Sequence, residues 1–450
     1  MSEVANLVAS TALAALSRLR HKEGANRWTV GAAVVQLRDG RDAEAVAIGT
    51  GVKCLSMSQA REGAGAVVAD VHAEVLCRRA FIRYLMSEMH LSLKAQKSIF
   101  SFSKDTKDQF PLALNASFTF HFYISQSPCG DASTECLDSS QSEEERFTNE
   151  SKRRKYLDGT AQPSNSIPDA STPTVPHEFA AAQRRGEVLR GRLDFTKHGI
   201  LRTKPGRIDA EMSLSMSCSD KICKWLVLGA SGALLGHFIR PIFFEGIVVG
   251  DWFDEVALRR ALIIRSHGIL DLPAEYSNRP TPFLAQANLP FSYSKLHLES
   301  ISDTKLLPSD VGVAWTKGLD PKDALQVLNN CGRKQGSAKR KGMWMSSARS
   351  GVCNEMVRDS FLRLVSEAQG RRDDCTAEGR NKLEGFVHGC QGQEADEGSP
   401  CPQTLRNVDV DNLSYGKLKR LNSEYYKARE AFLNHEPFRG WVLKANLSSK

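Results

Sequence analysis

The sequence predicts an α/β protein, a central mixed sheet flanked by helices, and two observations lead there. Short apolar, β-branched runs alternate with stretches of helical periodicity. The composition, 41% hydrophobic with 25% charged residues, supplies ample material for a core. A chain of 450 residues has room for one large domain or two to three ordinary ones. No internal repeat is present, and the reading adopted is one domain over 1–450 with an elaborated C-terminal half.

The elements follow in order. Residues 5–20 (ANLVASTALAALSRLR) have the spacing of an amphipathic helix. Trp28 to Leu37 and Ala45 to Gly51 read as two buried strands. From His72 to about Met89 the period is helical, with Val75, Ile82, Leu85 and Met89 on one face and Arg78, Arg79 and Arg83 largely off it. SFTFHFYI (117–124) has strong strand composition and runs directly into SPCGDAS. IFFEGIVVG (242–250) reads as another buried strand, and about 410–444 is rich in lysine and aromatics at helical spacing. Two polar stretches interrupt the order, 137–190 and about 368–404, and both read as weakly ordered, low-complexity insertions.

A net charge of +8 permits an anionic partner, yet the cations are dispersed and form no long basic tail. There is no apolar run of transmembrane length and no basic-then-apolar N-terminal signal, which predicts an intracellular protein with no membrane partner. Eleven irregularly spaced cysteines disfavour a disulfide framework and suit a reducing compartment with some thiols on metal.

The chemistry is concentrated in His72-Ala73-Glu74, followed downstream by Pro128-Cys129-Gly130. His-x-Glu followed by Pro-Cys is the core pattern of zinc-dependent nucleobase deaminases. Imidazole and thiolates hold Zn²⁺ with one position open to water, and the carboxylate moves the proton. The usual Pro-Cys-x-x-Cys is interrupted here by Ala132, so a third ligand must lie elsewhere. Cys136, Cys218 and Cys223 are the candidates, and Cys218 is favoured because it too precedes an apolar helical stretch.

HAEVLCRR, SPCGDAS and SCSDKICKWLVLG, in that order, resemble the three signature blocks of the eukaryotic adenosine deaminases acting on RNA. TGVKC (50–54) and LRTKPG (201–206) extend the likeness over nearly the whole chain outside the two insertions. The resemblance implies a cytidine-deaminase-like core, zinc on His72, Cys129 and Cys218, Glu74 as proton shuttle, and hydrolytic conversion of adenosine to inosine. It also implies an inositol hexakisphosphate buried beneath the active site. Arg78, Arg79, Lys221, Lys224 and Trp225 stand at matching places for it, followed by Lys339, Lys417, Lys427, Trp441 and Lys444.

Three departures separate the chain from the double-stranded-RNA editors of that family. Its deaminase-like sequence begins almost at residue 1, where the editors carry RNA-binding domains. Only the thirteen residues Pro205 to Ser217 separate LRTK from Cys218, too few for the editors' base-flipping loop. Ser133 stands where the editors tend to have Arg. These point to the tRNA-acting branch, which makes inosine 3′ of the anticodon in alanine tRNA, a single-stranded site. Lys53, Lys204 and Arg207 are the expected RNA contacts, and no obligate protein partner is implied. The alternatives are a duplex-RNA editor, a free-nucleoside or cytosine deaminase, and a non-catalytic RNA-binding scaffold.

Overall fold

Seven strands make the central sheet of the computed structural model, which describes residues 2–19, 26–105, 108–157, 182, 185–207, 210–370, 401–406 and 408–442. They are β1 (Gly31–Arg38), β2 (Asp42–Thr50), β3 (Phe118–Gln126), β4 (Gly246–Asp251), β5 (Phe283–Gln286), β6 (Gly312–Thr316) and β7 (Leu325–Leu328). Their spatial order is β5-β4-β3-β1-β2-β6-β7. β3, β4 and β5 run parallel, and the remaining pairings are antiparallel, so the sheet is mixed as expected.

The apolar runs are continuous because both faces of the sheet are covered, and successive strand residues point to opposite faces. Helix α1 (Ser2–Ser17) packs on one face against Ala33, Val35, Ile48, Tyr123 and Val248. Helix α2 (Ala73–Leu93) packs on the other against Ala32, Val34, Val46, Phe122 and Ile247. Gly49 of β2 permits this second contact. A Cβ there would lie 2.2 Å from the Ala73 carbonyl oxygen and 2.4 Å from the Cys77 nitrogen.

The first half of the earlier polar insertion is not featureless. Helix α3 (Glu143–Leu157) begins with Glu143, Glu144 and Glu145 and has Arg154 and Lys155 in its last turn. Glu150 pairs with Arg153 and Arg154 one turn on. This helix is held by charge placement, with no apolar face for periodicity to detect. Residues 158–181 and 371–400, the rest of the two insertions, lie mostly outside the described residues.

The C-terminal half adds helices α4 (Cys218–Leu228), α5 (Glu255–Leu262), α6 (Asn354–Ala368), α7 (Tyr415–Arg420) and α8 (Ser423–Asn434). A separate apolar cluster joins α8 to α4 through Tyr425, Ala428 and Phe432 against Cys223, Val227 and Leu228. Among the described residues no helix is long and apolar enough to cross a membrane.

Two buried histidines tie stability to pH. Burial lowers the pKa of both His121 and His237 from the ordinary 6.5 to about 4. His237 is held neutral, its Nδ1 3.0 Å from the Thr404 hydroxyl and its Nε2 3.5 Å from the Leu418 carbonyl. Between pH 6.5 and 4 the unfolded chain binds protons that the folded chain does not, so stability falls as pH drops through that window. Each histidine accounts for up to about 3 kcal/mol. Thermal melts from pH 7 to 4 should show this loss, and His237→Gln should make the pH slope shallower by about one proton.

Candidate active site

Three short structural devices bring the metal-ligating side chains together. His72 ends a three-residue strand (Asp70–His72) paired with Val52–Cys54 and then serves as the residue preceding α2. Its own side chain makes no cap bond, which leaves the imidazole free. Cys129 follows β3 and precedes the short 3-10 turn Asp131–Ser133. Cys218 is the first residue of α4, whose N-cap Ser217 accepts from the Asp220 backbone N–H.

The ligand atoms of His72, Cys129 and Cys218 all lie within 4.8 Å of one another. His72 Nδ1 is 3.8 Å from Cys129 Sγ and 3.5 Å from Cys218 Sγ. Of the other sequence candidates, Cys136 bonds instead to the Trp252 carbonyl, and Cys223 is buried in the α4–α8 cluster. One imidazole and two thiols, with one side facing a cavity, could hold a metal ion and are compatible with zinc with a position left open.

Gly130 makes the approach possible. Its φ is +111°, and a Cβ would sit 2.2 Å from Ser217 Oγ and 2.4 Å from Ser219 Oγ. Asp131 and Asp220 anchor the same region from beneath. Asp131 accepts from the Gly199 N–H at 2.7 Å and from Arg260 at 3.1 Å. Asp220 accepts from Arg265 at 2.8 Å, from the Arg202 N–H at 3.0 Å and from Ser217. The acids of SPCGD and SCSDK are therefore scaffolding for the two cysteines.

Glu74 sits in the first turn of α2 and lines the same cavity of about 350 Å³ as His72 and Cys129. Burial pushes its carboxyl above the ordinary 4.5, against the pull of His72. Its Oε2 is buried and has no hydrogen-bond partner among the described residues, an acceptor left over for something that enters the cavity. Cys129 is held well below the ordinary thiol range, first by the hydrogen bond with Cys218 and also by Lys204 and His72.

Beneath the ligands lies a buried ionic chain. Asp70 accepts from Lys204 at 2.8 and 2.9 Å and from Lys221, and Lys204 also donates to Cys218 Sγ at 3.1 Å. Burial alone would raise Asp70, but the two ammonium groups outweigh it and hold it well below the carboxylate range. Lys204 was expected on the RNA-facing surface. It is instead only 2% exposed and underpins the ligand cluster, because Asp70 draws its ammonium inward.

Lys221 opens into a second cavity of about 280 Å³ below the site. Arg78, Arg79, Lys224, Trp225 and Trp441 line it as expected, joined by Tyr415, Lys419 and Tyr425. Arg78 lies over the Trp225 ring at 5.2 Å and Lys224 over Trp441 at 5.1 Å. Burial and then the repulsion of Lys419, Arg429 and Arg78 push Lys224 well below its ordinary pKa, and the buried Arg78 Nε has no hydrogen-bond partner among the described residues. Such an arrangement fits a polyanion.

Three expected members of this set are elsewhere. Lys339 is on an exposed two-stranded hairpin and pairs with Glu62. Lys417 is exposed, and Lys427 pairs with Glu424 on the outside of α8. Lys444 lies outside the described residues. The helical repeat explains the slip. Lys419 follows Tyr415 by four and Arg429 follows Tyr425 by four, whereas Lys417 and Lys427 follow them by two, off that face.

Lys53 and Arg207 do line the mouth of the upper cavity, Lys53 with Asp310 at 3.2 Å. Sequence reasoning missed Trp28, Arg192 and Phe195, which line it as well. Arg192 and Phe195 lie just after the earlier polar stretch, where no periodicity marks them. Arg202 fixes their segment: its guanidinium donates to the carbonyls of Gly191 at 3.0 Å, Asp194 at 2.6 Å and Lys197 at 2.7 Å.

The sequence relationships agree with this geometry. Residues 47–445 match the adenosine-deaminase (editase) domain family. The chain is 28% identical to mouse tRNA-specific adenosine deaminase 1 over 422 residues, covering 75% of this chain and 83% of that one. With the Drosophila melanogaster protein of the same name it shares 31% over 349 residues, covering 76% and 77%. Mouse double-stranded RNA-specific editase B2 is 33% identical over 254 residues, 54% of this chain and 29% of that one.

Gly130→Ala should separate the ligand loops. We expect a loss of about 2–3 kcal/mol of stability from the clash and the left-handed φ, measured by chemical unfolding, together with loss of bound metal in elemental analysis.

Proposed function

This chain belongs to the adenosine-deaminase (editase) domain family and is an adenosine-deaminating hydrolase, and from that premise we propose that it converts adenosine to inosine in tRNA, at the base 3′ of the anticodon of alanine tRNA. The observation that carries the reading is the buried, unpartnered Glu74 oxygen beside the His72–Cys129–Cys218 donor set. The relatives named for tRNA deamination, matched along most of their length, support the substrate class. The short interval between Pro205 and Ser217 supports the same branch.

His72, Cys129 and Cys218 would hold zinc, which when bound supplies a Lewis acid that lowers the pKa of water. Glu74 takes the proton from the attacking water as the oxygen adds to C6 of adenine. Its raised affinity for that proton suits a group that must carry it and then give it up. Glu74 then delivers the proton toward the exocyclic nitrogen, the C6–N6 bond breaks, and ammonia leaves inosine behind. The apolar walls Val30 and Val52 and the rim residues Lys53 and Arg207 receive a base already unpaired in its loop.

The lower cavity takes an inositol hexakisphosphate in this reading. Arg78, Arg79, Lys221, Lys224 and Lys419 line one enclosed space, and among its lining residues only Asp70 is acidic. Without an anion their mutual repulsion would oppose folding, so the polyphosphate acts as a component of the core.

Three outcomes are expected. Glu74→Gln should retain zinc while inosine formation on alanine tRNA falls at least about 10²- to 10⁴-fold; a zinc-loaded variant with undiminished turnover would remove Glu74 from this role. Duplex RNA and free adenosine, run beside alanine tRNA, test the alternative substrates, and faster turnover of either would replace the tRNA reading. Mass spectrometry of the denatured pure protein should release one inositol hexakisphosphate per chain, and a protein with no polyphosphate would refute the lower site.

A further inference from the structure

The mouth of the upper cavity carries an aromatic ring that the fold does not use. Phe195 is half-buried and lines the cavity with Glu74 and His72. Among the described residues it joins none of the three apolar clusters and lies against no other aromatic ring. Its ring is therefore open to a base that enters the cavity, as a stacking platform on single-stranded RNA must be.

Its segment is also rigidly held. Three carbonyls on both sides of Phe195 accept from the single buried guanidinium of Arg202. Asp194 closes a local turn by accepting from the Thr196 N–H at 3.0 Å and its hydroxyl at 2.7 Å. At the start of the segment, the Arg192 N–H donates to the Gly206 carbonyl at 2.9 Å, which clamps it to the opposite rim at Gly206–Arg207. Arg192 itself is exposed at the cavity and, among the described residues, has no carboxylate within ion-pair distance. An aromatic face and a guanidinium three residues apart in sequence, on a fixed loop, offer single-stranded RNA a stacking surface and a phosphate partner together.

We propose that the Gly191–Lys197 loop is a nucleotide-binding rim, in which Phe195 stacks on the base adjoining the target adenosine and Arg192 pairs with a backbone phosphate. The proposal rests on the RNA-deaminase reading above. It implies that the enzyme recognises its target by holding the neighbouring nucleotide splayed beside it, with no base-edge contact required at that position. Stacking tolerates any base, so this rim sets affinity for an open loop over a paired stem.

The test uses the full chain and a synthetic stem–loop with the alanine tRNA anticodon sequence. Turnover by the wild-type protein establishes the RNA reading independently of the rim. F195A should then lower kcat/KM roughly 10- to 100-fold with metal content and melting temperature unchanged, and F195Y should restore it. The F195A deficit should vanish on an RNA made abasic at one of the two neighbouring positions, because the stacking partner is already gone. A deficit under twofold, or one of equal size on both abasic RNAs, would overturn the stacking role. R192Q should lower the slope of log affinity against log salt by about 0.7, one phosphate's worth on a single strand; an unchanged slope would overturn the phosphate contact.

Discussion

Asp70 is the hinge of the site's electrostatics. It is almost wholly buried and bracketed by Lys204 above and Lys221 below. Lys204 reaches on to Cys218, and Lys221 opens into the lower cavity with Arg78 and Lys224. Charge therefore alternates in sign along one line: the Cys129 thiolate beside Cys218, then ammonium, carboxylate, ammonium. Each member is tolerable in a low-dielectric interior only because its neighbours are opposite. Deleting any one strands the next, at a cost of about 3–5 kcal/mol. The catalytic floor and the lower cavity are in this sense a single ionic object, and the surrounding helices exist largely to exclude water from it.

That coupling explains which parts of the molecule are legible in sequence and which are not. The sheet is legible because β1, β2 and β3 are apolar on both faces, a pattern that α1 and α2 impose from either side. The clustering of His72, Cys129 and Cys218 is legible because each begins or precedes a helix within a compact motif, and Gly130 fixes the approach of two of them. Lys204 was misplaced because a lysine beside Pro205 and Gly206 has every local mark of a loop cation. Only the distant Asp70 turns it inward. Helix α3 was missed because its stability lies in charge order, to which hydrophobic periodicity is blind.

The lower cavity shows the same limit in another form. Its upper wall, Arg78 to Trp225, is anchored to the ligand motifs and follows them in register. Its lower wall comes from α7 and α8, where many lysines compete and only the turn of the helix selects among them. Tyr415 with Lys419, and Tyr425 with Arg429, share a face. Recognising that face requires knowing that Tyr425 is buried, a tertiary fact.

The order of these walls along the chain bears on biosynthesis. His72, Cys129, Cys218 and four cavity cations are all synthesised by residue 225, whereas Tyr415, Lys419, Tyr425 and Trp441 follow only far downstream. Between these points of translation the growing chain carries a half-built cationic basin with no lower wall. Closure waits on α7 and α8, so the two halves of the chain cannot settle independently of each other. A premature stop anywhere in α7 or α8 would leave every catalytic residue in place and still yield a chain unable to bury its own charge.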